Sequence, residues 1–438
     1  MPMIPERLLP PVLRPHCKSL SLVDNCPDIG SMGRDYRRLR YTDDRLLCGV
    51  MDGQVLKTVL LAMPRLRSIL VHFLSNELEN FGLQLFNFSP RPRLATNVDT
   101  LSFAPLKSFQ YIQPAFRWIP HHFPPERDAL ADHVCMLSVD PWPRLRELVL
   151  QGQLPENIRS PFITLLSGMP KLRVLSLMFA LPRDVDPQPV WPRGLDTSFP
   201  WPELESLVLS FPTPDDQLYA SLPPCLRRLS LRCCPHHCVH EWVDRPEWRS
   251  PVLSASEMLR VLSRCRLPHL ERLQFEYRAD DADGSLLRHL TAAFPQLLTL
   301  EIHRFRPVGV DEIPMVAIGE EIRSLSRLHT LSIHLDSPDH PTPGLQLLRT
   351  GLVLRLSYAQ MKASARMLRS HADLLAPLLS RSVRLLRLVQ RDDYHGTWQA
   401  YRVSRADDND DVVHVKYDPA CSTEVLSPDW FVKLLGPD

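Results

Sequence analysis

The densest group of chemically reactive side chains lies in one nine-residue segment, CCPHHCVHE, which begins at Cys233. Thiolates and imidazoles are the usual zinc ligands, so this segment is the first candidate for a metal site. Structural zinc sites normally pair two groups of ligands, and here Cys234-x₃-Cys238 lacks a clear second group. The alternative, which we favour, is a loop that is rich in Cys and His and holds no cofactor. The zinc-competent residues are Cys233, Cys234, His236, His237, Cys238 and His240.

Motifs of known catalytic sites are absent from the sequence. There is no G-x-x-x-x-G-K-[ST], no G-x-G-x-x-G and no G-x-S-x-G. His240-Glu241 continues as WVD and therefore does not match H-E-x-x-H. The acidic segment ADDNDD (406–411) lacks the Gly and Glu of a calcium-binding loop, and we interpret it as a solvated turn. We therefore expect the protein not to be an enzyme.

A second candidate site is distributed along the chain. Polar residues alternate with leucines in a recurring phrase, as Arg272 and Gln274 do around Leu273. Because successive side chains of a strand point to opposite faces, these polar residues are expected to share one face of a sheet. We expect that face to bind another protein through the following residues: His72, Arg228, Arg232, Arg272, Gln274, Glu276, Glu301, His303 and His334.

The recurring phrase is Pro-x-Leu-x-x-Leu-x-Leu, and it predicts the fold. Most copies are separated by a spacing typical of leucine-rich repeats, ~20–29 residues, and insertions lengthen the other intervals. One short strand cannot bury its apolar face alone, whereas stacked parallel strands form a continuous core. The leading leucines of the copies are Leu66, Leu145, Leu172, Leu204, Leu226, Leu270, Leu297 and Leu328.

Helical patterns lie between many copies, such as SASEMLRVLSRCRL (254–267), which begins with a capping-box sequence. The expected fold is therefore α/β: a leucine-rich-repeat solenoid, curved as a horseshoe, with parallel strands on the concave side and helices on the convex side. TWQAYRVSR (397–405) and VVHVKYD (412–418) alternate and predict a C-terminal β-hairpin cap.

The expected domain organisation has three parts. Residues 1–62 form a degenerate N-terminal cap or first repeat, 63–390 form the solenoid, and 391–438 form the hairpin cap and tail. Insertions are expected at 74–141, 181–200 and 233–251.

Composition limits the classes of partner. Lys and Arg number 51 against 50 Asp and Glu, so the net charge of +1 favours neither nucleic acid nor an anionic membrane as partner. The 10 Cys show no disulfide-scaffold spacing, the N-terminal segment lacks a signal-peptide pattern, and no run of 18 apolar residues occurs. We expect a cytoplasmic or nuclear protein.

In these repeats the chain resembles the leucine-rich-repeat regions of fungal F-box-type proteins. The resemblance covers roughly residues 60–438 and includes the late helix and the Trp-containing hairpin at Trp398. It implies the substrate-recognition part of a ubiquitin-ligase receptor, in which an F-box holds a Skp-type adaptor and a cullin. The F-box itself is not evident, since only IPERLL (4–9) matches its beginning.

Two functions are thus predicted from the sequence. The first is a non-enzymatic solenoid that binds a protein target on its concave face, without cofactor, nucleic acid or membrane. The alternative is a zinc-stabilised or catalytic protein centred on residues 233–240.

Overall fold

The computed structural model describes residues 16–23, 67–73, 99–105, 142–154, 160–182, 185–233, 248–307, 309–341, 344–348, 351–390, 397–406 and 409–424. Their secondary structure is mixed α/β, with an open sheet of mostly parallel strands. The chain divides into two compact units: unit 1 comprises Met1–Phe179 and Asp196–Glu203, and unit 2 comprises Ala180–Leu195 and Leu204–Asp438.

The described residues of unit 1 form parallel strands in chain order and one short helix. The strands pair in register, with Ser19 opposite Ser68 and Ser68 opposite Thr100. Trp201 is fully buried, and its Nε1–H donates a hydrogen bond to the carbonyl of Leu166 at 3.0 Å. The elements are β1 (Ser19–Val23), β2 (Ser68–Phe73), β3 (Thr100–Pro105), β4 (Glu147–Gln153), α1 (Phe162–Leu165) and β5 (Val174–Pro182), whose last residues belong to unit 2.

Unit 2 carries the longer part of the fold. Its strands are β6 (Ser206–Leu209), β7 (Arg228–Leu231), β8 (Trp248–Arg249), β9 (Leu253–Ser254), β10 (Arg272–Arg278), β11 (Thr299–Phe305), β12 (Thr330–Leu335), β13 (Gly344–Leu348), β14 (Gly351–Arg355), β15 (Leu385–Gln390), β16 (Thr397–Ala406), β17 (Asn409–Tyr417) and β18 (Thr423–Glu424). Its helices are α2 (Leu218–Ser221), α3 (Ala255–Leu262), α4 (Asp283–Ala293), α5 (Met315–Ile322) and α6 (Tyr358–Leu375), with 3₁₀ turns at Ala376–Leu378 and Pro419–Cys421.

The main sheet of unit 2 runs in the order β6-β7-β10-β11-β12-β15-β16-β17. The strands from β6 to β15 are parallel, and β16 and β17 continue the sheet in antiparallel pairing. Helices α3, α4 and α5 lie in the connections between the central parallel strands. The predicted parallel strands and the predicted α/β class are therefore confirmed, and the antiparallel hairpin agrees with the expected C-terminal cap.

The leucines of the repeated phrase form the core because the strands pair in register. Leu273 lies opposite Leu300, which lies opposite Leu331, and all three are buried. The leading leucines that precede these strands are also buried, among them Leu270 and Leu297. Full burial of a leucine side chain stabilises a fold by about 1.5–3 kcal/mol, so this repeated column of apolar side chains supplies much of the stability of unit 2.

Helix α3 begins as the sequence predicts. The hydroxyl of Ser254 accepts a hydrogen bond from the backbone N–H of Glu257 at 3.2 Å, and the Glu257 carboxylate accepts one from the Ser254 N–H at 2.9 Å. Ser357 and Gln360 form an equivalent capping box at the start of α6. These reciprocal bonds satisfy backbone donors that a helix N-terminus would otherwise leave without a partner.

The sequence missed two elements. Strand β3 lies inside the insertion predicted at 74–141, and its phrase TLSFAP has no Pro-x-Leu start. Strands β13 and β14 pair as a separate antiparallel hairpin in the connection that we expected to consist of turns. Within the insertion predicted at 181–200, the part in unit 2 is bound by Asp216, whose carboxylate accepts hydrogen bonds from the backbone N–H groups of Val190 and Trp191 at 2.6 and 3.0 Å.

Candidate functional site

The candidate site is the face of the unit 2 sheet that carries the polar residues of the repeats, which we call the polar face. In-register pairing places equivalent residues of successive strands side by side in rows that cross the strands. The outer row contains Arg228, Arg272, Thr299, Thr330, Leu385 and Arg402. The first inner row contains Ser230, Gln274, Glu301, Ser332, Arg387 and Ala400. The second inner row contains Arg232, Glu276, His303, His334, Val389 and Trp398, of which Arg232 and Val389 lie one residue beyond the paired ends of β7–β10 and β12–β15.

The two inner rows are largely inaccessible to solvent. Glu276, Glu301 and His303 are exposed by 2%, 3% and 0%, and Arg387 is half-buried. Burial of charged groups is costly unless they are paired, so the arrangement of these side chains needs a physical explanation. The explanation is a shared network of ionic contacts.

Glu301 is the centre of this network. Its Oε1 lies 2.5 Å from Nη1 of Arg232 and 2.9 Å from Nε2 of His303. Burial raises the pKa of Glu301, whereas the positive charges of Arg232 and Arg387 lower it. Burial, together with the charge of Arg232, holds the pKa of His303 well below its usual range. His303 is therefore neutral at pH 7, and its Nε2 and Oε1 of Glu301 share one hydrogen bond of 2.9 Å.

Glu276 occupies the neighbouring position in the inner rows. Its Oε1 accepts a hydrogen bond from the backbone N–H of Cys233. Burial raises the pKa of Glu276 to about 7, against the opposing effects of the Cys233 hydrogen bonds and the charge of Arg232. Near neutral pH this carboxyl is therefore partly protonated, which reduces the negative charge held inside the polar face.

The C-terminal hairpin brings an aromatic side chain against the inner rows. The ring of Trp398 lies 5.3 Å from that of His303 in an edge-on arrangement, although β12 and β15 separate their strands. His303 also contacts His334, with ring centroids 5.8 Å apart. Because strands are spaced by ~4.8 Å, the Trp398–His303 contact requires these two side chains to lean towards each other over the strands that separate them.

Several buried polar atoms of the inner rows have no hydrogen-bond partner among the described residues. They include Oγ of Ser230, Oε1 of Gln274, Nε of Arg387 and Nε1 of Trp398. A buried donor or acceptor without a partner costs about 1–3 kcal/mol, so the interior of the polar face is not fully optimised for stability.

The outer row differs from the inner rows in exposure and charge. Arg228, Arg272, Thr299 and Thr330 are half-buried, and Arg402 is exposed. Arg402 Nε lies 2.5 Å from Oδ2 of Asp418. The outer row thus presents partly accessible arginine and threonine side chains at one edge of the polar face.

The nine residues predicted to bind a partner are separated by the structure into three groups. Arg228 and Arg272 are accessible in the outer row. His72 lies on β2 of unit 1, opposite Val23 and Ala104, and its side chain is outside the described part of the structure. The other six are buried and face one another: Arg232, Gln274, Glu276, Glu301, His303 and His334.

The expectation of a continuous exposed stripe is therefore corrected at those six positions. The alternation correctly predicts that the residues share one face, but it contains no information about how deeply each side chain is buried or about the contact with Trp398. Binding of a partner to this face stays a prediction. Arg387 and Trp398 belong to the same face and were missed, although alternation in LLRLVQ and TWQAYRVSR was the signal that could have identified them.

Of the predicted zinc residues, the structure describes only Cys233, which is buried with its backbone N–H bound to Glu276. Cys234, His236, His237, Cys238 and His240 lie outside the described residues. Within the described ranges, no group of three or more His, Cys, Asp or Glu side chains could hold a metal ion. The zinc hypothesis is untested at the other five positions.

Comparison with known proteins adds no relative. No family model matches the chain, and a search of curated proteins gives no significant match. In the described part of the chain, no helix combines the length and the apolar character needed to cross a membrane.

Proposed function

We propose that the chain is a non-enzymatic leucine-rich-repeat solenoid that binds another protein on the concave side of a horseshoe. The observation that carries this proposal is the in-register repetition of one polar face, from Arg228 on β7 over the parallel strands to β15 and on to Arg402 of the antiparallel strand β16. Stacked repeats of this kind present one extended concave surface, and such surfaces suit the recognition of another protein. The half-buried outer row is the accessible part of that surface.

Two features support binding over catalysis. The ionisable groups of the inner rows, Glu276, Glu301 and His303, are buried and bound to one another or to the backbone, so a substrate would have no direct access to them. The accessible outer row offers Arg228 and Arg272 with Thr299 and Thr330, which are groups that hold a ligand by charge and hydrogen bonds.

The finer part of the proposal is a role as the substrate-recognition part of an F-box-type ubiquitin-ligase receptor. It rests on the resemblance of the repeats and of the Trp398 hairpin to that class of protein. In this role the polar face holds the target, and a Skp-type adaptor and a cullin associate with the same chain.

Site-specific photo-crosslinking tests the binding function. A photoreactive benzoylphenylalanine is placed at Thr299 in the outer row and, as matched control, at Ala363, which is exposed on helix α6. The tagged full chain is expressed in a fungal cell, irradiated, and purified under denaturing conditions. We expect a discrete protein adduct from the Thr299 position and none from the Ala363 position.

The possible results separate the two parts of the proposal. Equal or absent adducts at the two positions would contradict the binding function of the polar face. Copurification of a Skp-type adaptor and a cullin under native conditions supports the ligase role. A Thr299 adduct without those two proteins leaves a binding solenoid and removes the ligase role.

A further inference from the structure

We propose that strand β17 binds an extended segment of a partner protein, which adds to the sheet as a further antiparallel strand. The segment alternates apolar residues with acidic residues. Its binding site is the outer edge of residues 413–417. This inference goes beyond the proposed function, because it uses the backbone of the terminal strand rather than the outer row between Arg228 and Arg402.

Strand β17 ends the main sheet in the part of the chain that the structure describes. Its pairing with β16 is regular from Tyr417 to Val413, and the register shifts between Arg405 and Ala406 of β16. The last strand of a sheet presents backbone donors and acceptors along its outer edge, and an extended peptide binds such an edge by adding a strand. The regular edge covers residues 413–417, so a segment of about five residues fits it.

The hydrogen-bonding pattern shows which backbone groups point outward. The N–H of Asp418 donates to the carbonyl of Ala400 at 2.8 Å, so Asp418 directs its backbone groups towards β16. Hydrogen-bonded and non-hydrogen-bonded residue pairs alternate along antiparallel strands, and Lys416 therefore also faces β16. The residues that direct their N–H and C=O groups away from β16 are Val413, Val415 and Tyr417. An added antiparallel strand would form about six hydrogen bonds with these three residues.

The side chains of this edge differ in chemistry between the two faces of the sheet. Lys416 lies opposite Arg402 and therefore belongs to the polar side, where His414 is its neighbour, and both side chains are exposed. On the other side Val415 is buried and Tyr417 is 43% exposed. A strand that matches both faces has apolar residues opposite the valines and the tyrosine, and other residues opposite the two basic side chains.

The basic side of the edge favours acidic residues in the partner. The nearest acidic residue on the same side of β17 is Asp418, and its carboxylate already lies 2.5 Å from Nε of Arg402. Opposite charges stabilise directly opposed positions of neighbouring strands, whereas like charges destabilise them. Side chains approach most closely in non-hydrogen-bonded pairs, which is the position of His414 and Lys416 on this edge. The sequence Val-Glu-Val-Glu-Val therefore represents the expected segment.

Exposed apolar side chains at this end of unit 2 also suit an added strand. Among the described residues, Leu374, Val412 and Tyr417 are three of the six large apolar side chains that are exposed. Val412 and Tyr417 belong to β17, and Leu374 lies two residues before the 3₁₀ turn Ala376–Leu378, which contacts β17. Exposed apolar surface is frequent at sites of protein interaction.

Three rival states of this edge must be separated by experiment. A register shift and a lysine also occur at strand edges that proteins keep unpaired. A second copy of the chain or another segment of the same chain could also pair with β17. Each of these states would overturn the proposed partner segment.

Fluorescence anisotropy with defined peptides tests the inference on the purified full chain. The probe is a fluorescein-labelled peptide of sequence Gly-Ser-Val-Glu-Val-Glu-Val-Ser-Gly, which we call the acidic peptide. In its neutral counterpart, glutamine replaces both glutamates. We expect the acidic peptide to bind at least about fivefold more tightly, with an affinity that falls as salt is added. Equal affinities would overturn the choice of an acidic segment.

Backbone methylation of the acidic peptide tests strand addition. N-methylation of its central valine removes the donor directed at Val415 and should weaken binding by at least about tenfold. N-methylation of one glutamate is the matched control, because that N–H points away from β17, and it should change binding by less than about twofold. Equal losses from the two methyl groups would overturn strand addition.

Variants and hydrogen exchange locate the binding. Lys416→Glu should weaken binding of the acidic peptide by about fivefold, because an attractive cross-strand pair becomes repulsive. Lys362→Glu is the matched control, since Lys362 is exposed on helix α6. The acidic peptide should also slow amide exchange in β17 and leave β10 unchanged. Equal binding by both variants, or unchanged exchange in β17, would overturn the assignment to this edge.

The outcomes also identify the rival states. Absence of peptide binding by a monomeric chain would mean that the edge is kept unpaired or is covered by the same chain, which slow exchange in β17 would indicate. A dimer whose β17 amides lose protection on dilution would mean that a second copy occupies the edge. The photo-adduct at Thr299 tests the proposed function independently, so either proposal can fail alone.

Discussion

Arg232 and Glu301 form a buried ion pair, 2.5 Å between Nη1 and Oε1, across the intervening strand β10. Their side chains are exposed by only 2% and 4%. The same Oε1 of Glu301 also lies 2.9 Å from Nε2 of His303. The ring of His303 in turn contacts the ring of Trp398 in the C-terminal hairpin. Contacts through the Glu301 carboxylate and His303 thus extend from Arg232, after β7, to Trp398 on β16.

Loss of one member of this pair should be far more costly than loss of both. In Arg232→Met, Glu301 remains buried without its cation, and we expect the free energy of unfolding to fall by about 3–5 kcal/mol. The double variant Arg232→Met with Glu301→Gln should lose less, because no uncompensated charge remains. Urea denaturation of the single and double variants measures both quantities.

The exposed pair Arg227–Glu271 is the control for that experiment, with Nη1 and Oε1 3.0 Å apart. Arg227→Met should change the free energy of unfolding by about 0–1 kcal/mol, as is typical of exposed pairs. Similar losses in Arg232→Met and Arg227→Met would contradict the role assigned to the buried pair.

Glu276 should make stability decrease as pH rises towards neutrality. Its pKa is about 7 in the folded chain against the ordinary 4.5, so the folded state binds more protons than the unfolded state between these values. Stability from this group is fully present below pH 4.5 and is lost as the pH rises through about 7. The shift corresponds to at most about 3 kcal/mol.

Glu276→Gln isolates this contribution because the amide cannot ionise and retains an oxygen that can accept the Cys233 N–H. We expect the variant and the parent to have similar stability at pH 5, and the variant to be more stable at pH 8. Burial also raises the pKa of Asp216 to about 6 and lowers that of His303. Both groups are present in the variant and in the parent, so their contributions cancel in the difference between the two unfolding free energies. A constant difference in unfolding free energy from pH 5 to pH 8 would show that Glu276 does not titrate in this range.

Trp398 should control solvent access to the inner rows. In Trp398→Ala we expect a loss of about 3–5 kcal/mol in unfolding free energy, typical of a buried aromatic side chain, and exposure of His303. Carbethoxylation of His303 by diethyl pyrocarbonate, followed by mass spectrometry, measures that exposure. His329, exposed in the parent, should react in both proteins and serves as the internal control. An unreactive His303 in a folded Trp398→Ala chain would mean that other groups cover it.

Arg405 should attach the C-terminal hairpin to the end of helix α6. Its guanidinium donates hydrogen bonds to the carbonyls of Ala376 and Leu379, both at 3.0 Å, and to those of Arg381 and Val383 at 3.5 and 3.4 Å. Arg405→Ala leaves these carbonyls without that donor, and we expect faster amide hydrogen exchange in β16 and β17 with little change in β10 to β12. The exposed Arg384→Ala is the matched control. Equal exchange in the two variants would contradict the attachment role.

Local features of the fold could be predicted from the sequence. The alternation of leucines fixed which residues form the core, as Leu273, Leu300 and Leu331 show, and Ser254 with Glu257 marked a helix start. The hairpin was also predicted, at 397–405 and 412–418, where the structure has Thr397–Ala406 and Asn409–Tyr417. Each of these features depends on residue types that lie within a few positions of one another, so each can be identified from a short stretch of sequence.

Depth within the polar face could not be predicted in the same way. Glu301 is bound by Arg232 and His303, which lie 69 and 2 residues away along the chain, and His303 contacts Trp398 of the hairpin. That arrangement depends on contacts between distant strands and on a hairpin at the end of the sheet, and alternation encodes neither. The sequence therefore identified the correct face but could not separate its accessible outer row from its buried inner rows.

The most direct test of the central claim is photo-crosslinking from Thr299 in the parent chain and in the variant with Arg228→Glu and Arg272→Glu. We expect a discrete protein adduct in the parent, a strong reduction of it in the variant, and no adduct from Ala363 in either. An adduct of equal yield in both chains would contradict the claim that the outer-row arginines hold the partner. No adduct from Thr299 in the parent would contradict protein binding on this face.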